Sequence, residues 1–301
     1  VSVAAYEAEL ARARAAAARG DWTEAVARYG RAAEAARRAG RDDLAERALC
    51  IRHGIQAEAG DAAAQIAPLA RILLASPYPA NRALAGFYAA QAAYLEDDLG
   101  RCRRLAHRAL EQAELAGDGE VVGALENLLG NVALLRSEFG EARRRFLAAM
   151  RRLPRREAHE RLMVAQVEDN LGYTMMCDGD PVAGIAHCEN ALAVMRTFER
   201  PPYLPQALQD LCFGELLVER PEAAEERGHE ALELALERGD DDIVKNCLFL
   251  LAEAAKRRGE LSRARWYLAQ LNGFYPEAPD PDALLELLVR ADLLEVVNLR
   301  G

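Results

Sequence analysis

Apolar residues recur at three- and four-residue intervals along most of the chain, and polar turns interrupt them at regular places. The stretch ENLLGNVALLRSEFGEARRRFLAAM, residues 126–150, has one such run before Gly140 and a second after it. This spacing places apolar side chains on one face of a helix, so the stretch predicts two helices and a turn. Strand-like alternation is absent. Ala and Leu supply most of the 51% apolar content and β-branched residues are rare, a composition that favours helix.

The pattern is a repeat. DNLGYTMMCDGDPVAGIAHCENALAVM, residues 169–195, aligns with the first stretch so that Leu129-Gly130 falls on Leu171-Gly172 and Ala149 on Ala191. Taking the small or short residue that opens the core of each second helix gives Ala25, Gln65, Cys102, Ala142, Gly184, Ala224 and Ala264, at intervals of 40, 37, 40, 42, 40 and 40. Such a period is the mark of a solenoid in which each helical pair covers its neighbour. A small residue at the closest contact lets two helix backbones approach. First helices (A) are predicted near 3–19, 42–59, 81–96, 120–137, 156–177, 205–219 and 241–258. Second helices (B) are predicted near 22–38, 61–75, 100–116, 140–152, 181–198, 221–238 and 261–272, with a last, capping helix over about 281–299. Proline and glycine mark the joints, and none is long enough to be a flexible linker. The expectation is a single domain, 1–301: an all-α, right-handed α-α superhelical solenoid of about seven helical hairpins plus the C-terminal cap.

The Leu-Gly pair, the Tyr of the first helix and the Ala–aromatic–Ala of the second resemble the tetratricopeptide repeat. The resemblance spans nearly the whole chain, although Ala13, His53, Ala90, Cys212 and Ala252 replace the glycine in five units. The unit of about 40 residues exceeds the usual tetratricopeptide length and is more similar to the long repeats of bacterial peptide-pheromone receptors and the kinesin light chain. The resemblance implies that helix A lines a concave surface. Its inward positions, carried onto this chain, are Phe87, Gln91 and Tyr94 in the third unit, Asn127 and Asn131 in the fourth, and Gln166, Asp169 and Tyr173 in the fifth. The sixth supplies Gln206, Gln209 and Phe213, and the seventh Asn246 and Phe249. Amides can donate to and accept from an extended backbone, and aromatic pockets can take its apolar side chains. These residues are the candidate partner-binding set. The lysines of the carboxylate clamp that some family members use are absent beside Asn127 and Asn131.

Charge and candidate chemistry narrow the function. A formal net charge of -10 argues against generic nucleic-acid or anionic-membrane binding. The arginines 143, 144, 145, 151, 152, 155 and 156 and the acidic run 222–237 read as solvated helix faces. Six scattered cysteines read as mostly buried, free thiols in a reducing compartment, and no apolar run reaches membrane-span length. No secretory leader is apparent, and the first repeat is already entered by Tyr6. The histidines at 53, 107, 159, 187 and 229 have no metal-ligand spacing, and no phosphate loop or nucleophile motif is present. The expectation is a cytoplasmic, non-enzymatic scaffold without cofactor or metal. Its partner would be a protein or extended peptide, with self-association possible. The alternative is a peptide-sensing receptor that acts through a separate output partner.

Overall fold

The computed structural model describes residues 3–275, 280–292, 294 and 297–300, apart from the side chains of Ala18 and His159. All regular elements among these residues are helical. In chain order they are α1 (Val3–Ala18), α2 (Trp22–Arg38), α3 (Asp42–Gln56), α4 (Ala62–Ala75), α5 (Pro79–Leu95), α6 (Leu99–Ala116), α7 (Gly119–Leu135) and α8 (Phe139–Arg152). They continue with α9 (Ala158–Cys177), α10 (Pro181–Met195), α11 (Leu204–Leu217), α12 (Pro221–Arg238), α13 (Asp241–Arg257), α14 (Leu261–Asn272) and α15 (Pro281–Arg290). Residues Ala57–Asp61 join α3 to α4 through a kink at Gly60, whose φ is 102°. The first fourteen helices form seven hairpins, and α15 is the cap. The chain divides into two compact units. Unit 1 is Val1–Val132 with Arg151–Leu153, and unit 2 is Ala133–Met150 with Pro154–Gly301.

Every hairpin turn is built alike. A residue with positive φ lies five positions before each periodic small residue: Gly20, Gly60, Asp97, Ser137, Gly179, Glu219 and Gly259. Left-handed backbone reverses the chain, and several of the following residues then start the B helix. Asp21, Asp98 and Asp180 accept from the backbone N–H three residues on, at 3.1, 2.8 and 3.2 Å, satisfying a donor that the first helical turn leaves open. The turn therefore carries the same period as the core.

The periodic small residues are buried in both units: Ala25, Cys102, Ala142, Ala224 and Ala264 are fully covered, as is the larger Phe146 one turn later. In unit 2, α9 and α10 approach backbone to backbone at two glycines. A Cβ on Gly172 would lie 2.6 Å from the Gly184 carbonyl oxygen, and one on Gly184 would lie 2.6 Å from that of Gly172. Only glycine fits at both places.

In unit 2 the A helices α9, α11 and α13 lie side by side, with α11 packed on both of the others. The B helices α10, α12 and α14 cover them from behind. At the end of the unit, α15 lays Leu288 into a cluster of Leu251, Ala255, Tyr267 and Leu268, with Leu284 and Leu285 alongside. Leu287 points away and is exposed.

The cap helix stops at Arg290, well before the predicted 299. Of the predicted remainder, 293, 295 and 296 lie outside the described residues. Asp292 supplies the physical reason for the early stop. Its Oδ1 accepts from the Leu294 N–H at 3.2 Å, and its Oδ2 accepts from Arg257 at 3.3 Å. Both bonds favour a local turn over another helical turn. Residues 297–300 are not helical.

Candidate functional site

The sixth and fifth A helices carry charge where core would be expected. In VEDNLG and LQDLCFG, Asp169 and Asp210 lie on helices α9 and α11, and both are fully buried. Burial disfavours the ionised form, so both carboxyls are pushed above the usual carboxylate range, and Asp169 is pushed further by the charge of Asp210. The Arg300 guanidinium acts the other way and lowers both.

That guanidinium comes from the same unit. The Arg300 guanidinium donates to Asp210, to Asp169 Oδ2 at 3.3 Å and to Asn170 Oδ1 at 2.8 Å. With its amide oxygen turned toward Arg300, Gln206 accepts from both terminal nitrogens at 2.6 and 3.0 Å. The guanidinium also lies over the Tyr173 ring, 5.0 Å from its centroid. Arg300 is only 15% exposed, and the two carboxylates hold its pKa above the ordinary arginine value. A buried ion cluster is tolerable because opposite charges are paired and its polar atoms are mostly satisfied.

The residues just before Arg300 lie on the same wall in irregular conformation. Leu299 is held by both of its backbone groups: its N–H donates to the Tyr173 hydroxyl at 2.8 Å, and its carbonyl accepts from Asn246 Nδ2 at 3.0 Å. Asn246 also donates to Gln209 Oε1 at 3.1 Å. Asn298 accepts from the Tyr173 hydroxyl at 3.1 Å and donates to the Leu134 carbonyl at 3.1 Å. Beneath them Tyr173 packs against Phe213 with ring centroids 5.6 Å apart. Burial pushes the Tyr173 hydroxyl far above its ordinary value, so it stays protonated and can donate and accept at once.

Of the candidate set, unit 2 thus gathers Asp169, Tyr173, Gln206, Gln209, Phe213 and Asn246 around residues 298–300. Gln166 is half-buried on α9, and Phe249 is half-buried against the α13–α15 core. In unit 1, Phe87 and Tyr94 are half-buried on the core, and Phe87 stacks obliquely on Tyr88 at 5.1 Å. Gln91 donates to Glu58 at 3.0 Å, and Asn127 and Asn131 are half-buried on α7. The arginine run lies on α8 and the loop after it. Arg145 pairs with Glu141 at 2.7 Å, Arg152 pairs with Glu114 at 3.2 Å, and Arg155 donates to the Met150 carbonyl at 2.9 Å.

Among solved structures, the apo form of RapI matches over 95% of this chain and 82% of its own, with a TM-score of 0.66 at 9% identity. The fold is tetratricopeptide-like. NprR in complex with its cognate peptide NprX matches 94% of this chain and 82% of its own, with a TM-score of 0.63 at 12% identity. A signal-transduction ATPase with a tetratricopeptide repeat sensor, from Pyrococcus horikoshii, has a TM-score of 0.65 at 14% identity, over 92% of this chain and 43% of that one. No protein-family model matches, and no curated protein matches. Among the described residues of this tetratricopeptide-like chain, no cluster of three His, Cys, Asp or Glu side chains could hold a metal ion, and no helix is long and apolar enough to cross a membrane.

The tetratricopeptide register leads to only part of the site. It points to Asp169 and Gln209 but passes over Asn170 and Asp210, each one position further along its helix. The available signal at Asp210 is a carboxylate directly before the apolar run LCF. The helical spacing assigns Asn298 and Leu299 to the cap helix and leaves Arg300 beyond it, and no periodic signal sends them back to α9.

Proposed function

We propose that this protein is a scaffold that holds an extended segment of a protein or peptide partner on the wall formed by α9, α11 and α13. The observation that carries this reading is the treatment of Leu299. Side chains of two A helices take its N–H and its carbonyl separately, which is the requirement for gripping extended backbone that has no strand or helix of its own. Tyr173, Asn246, Gln209 and Gln206 are the gripping residues in this reading. Phe87, Gln91, Tyr94, Asn127 and Asn131 would offer a comparable surface on unit 1. The likeness to NprR, whose structure holds its cognate peptide, supports a peptide ligand and keeps a peptide-sensing receptor as the second reading. Six free cysteines, five of them buried, support a reducing cytoplasmic setting.

The test is affinity by calorimetry. The partner recovered on the immobilised full chain is identified by mass spectrometry, purified and titrated into wild type, Tyr173→Phe, Asn246→Ala and a charge reversal of Arg143 and Arg144. Each groove variant should weaken binding by about 1–2 kcal/mol, while the reversal has little effect. Full binding by both groove variants, with loss in the reversal, would move the site to α8.

A further inference from the structure

We infer that residues 298–300 are an internal occupant of the α9–α11–α13 groove, and that a ligand binds by displacing them. The inference rests on the reading of this wall as a peptide groove. Three consecutive residues engage side chains of α9, α11 and α13 together. Asn298 bridges Leu134 and Tyr173, Leu299 has both backbone groups held, and Arg300 fills the space between Asp169 and Asp210. These partners lie between 53 and 164 residues away in sequence, so the contacts are tertiary docking and not local turn structure.

Two features suit the occupant to release. It is held by polar contacts from side chains and contributes no helix to the fold. It also leaves polar atoms unsatisfied: Arg300 Nε and Asp169 Oδ1 are buried without a hydrogen-bond partner, so docking is less favourable than a fully paired cluster. A cavity of about 440 Å³ opens beside Leu299 and Arg300, walled also by Gln209, Lys245, Asn246 and Tyr275. An incoming segment can enter there and reach Asn246 before the whole internal segment has left. It must then meet two buried carboxyls, which disfavours an occupant that is apolar at that point.

The experiment uses the full chain and, as probe, a fluorescein-labelled synthetic peptide with the sequence of residues 291–300. Anisotropy titrations compare wild type, Arg300→Ala, Asn298→Ala, and Arg300→Ala combined with Asp210→Asn, with helicity of each variant checked by circular dichroism. If the groove is closed about nine-tenths of the time, freeing it should tighten probe binding about ten-fold in Arg300→Ala and in Asn298→Ala. Adding Asp210→Asn should remove that gain. Equal affinity in wild type and both single variants, or no binding by any of them, overturns the inference. The purified partner separates this from the broader reading. Loss of partner binding in Tyr173→Phe with equal affinity in wild type and Arg300→Ala sinks the internal occupant and leaves the groove. A ten-fold gain for the probe, with partner binding indifferent to Tyr173 and Asn246, sinks the groove as the partner site and leaves the internal occupant.

Discussion

Tyr173 on α9 and Asn246 on α13 bind opposite backbone groups of one residue, the N–H and the carbonyl of Leu299. Two helices that are not neighbours in sequence thus act as the two sides of a grip, with α11 between them. The arrangement follows from the repeat. Successive A helices present equivalent positions on one wall, so a hydroxyl from one unit and an amide from another reach the same short length of backbone.

The buried carboxyl pair gives the protein a pH dependence of defined sign. Burial raises Asp169 above its ordinary value, with Asp210, Arg300 and the Cys188 thiol facing it. Between the ordinary carboxylate value and the raised one, the folded chain binds a proton that the unfolded chain has released. The resulting stability is fully present below that window and is lost as pH rises through it. Surface carboxyls held low by arginine, such as Glu141 and Asp282, act with the opposite sign at acid pH. Urea midpoints of wild type and Asp169→Asn, measured from pH 4 upward, should therefore differ by a slope that the variant lacks. Parallel curves would remove the proton from Asp169.

The hairpin turns predict a stability effect with no contact behind it. Gly20 and Gly259 have φ values of 74° and 77°, and a Cβ at either would touch nothing within 4 Å. Alanine at either position should still cost about 1 kcal/mol, because left-handed backbone is unfavourable for any residue with a Cβ. Chemical denaturation measures it, and an unchanged midpoint would show that the turn relaxes freely.

The cap predicts a contrast within one helix. Leu288 is buried against α13 and α14, whereas Leu287 is 50% exposed. Leu288→Asp should uncover the apolar end of the seventh hairpin and cost about 2 kcal/mol or more, with self-association visible in light scattering. Leu287→Asp should leave both stability and solution mass unchanged. Equal behaviour of the two variants would mean that α15 does not cap the hairpin through Leu288.

The architecture was legible because one period runs through the core, the turns and the helix starts together. Ala25, Ala142 and Ala224 mark the core, and Gly20, Ser137 and Glu219 mark the turns at the same offset. The candidate wall was legible only where the tetratricopeptide register applies, as at Asp169, Tyr173, Gln209 and Asn246. Asp210 escaped because its position is ordinarily a packing position, and a carboxylate becomes tolerable there only when a cation arrives. That cation, Arg300, lies in a stretch whose composition suits helix. The side chain of Asp292 diverts the backbone there, and such a competition between local hydrogen bonds leaves no periodic trace.

The central claim is that partners are gripped on the α9–α11–α13 wall and not on the outer helices. Site-specific photocrosslinking tests it most directly. A benzophenone amino acid placed at Gln166 on α9 or at Phe249 on α13 is compared with one at Leu236 on α12 or Trp266 on α14, both of which are exposed. Crosslinked peptides from the cell lysate of origin are then mapped by mass spectrometry. The account predicts that Gln166 and Phe249 capture the same partner through one short stretch of its sequence, while Leu236 and Trp266 do not capture it. Capture of that partner from Leu236 and Trp266, with none from the wall, would contradict it.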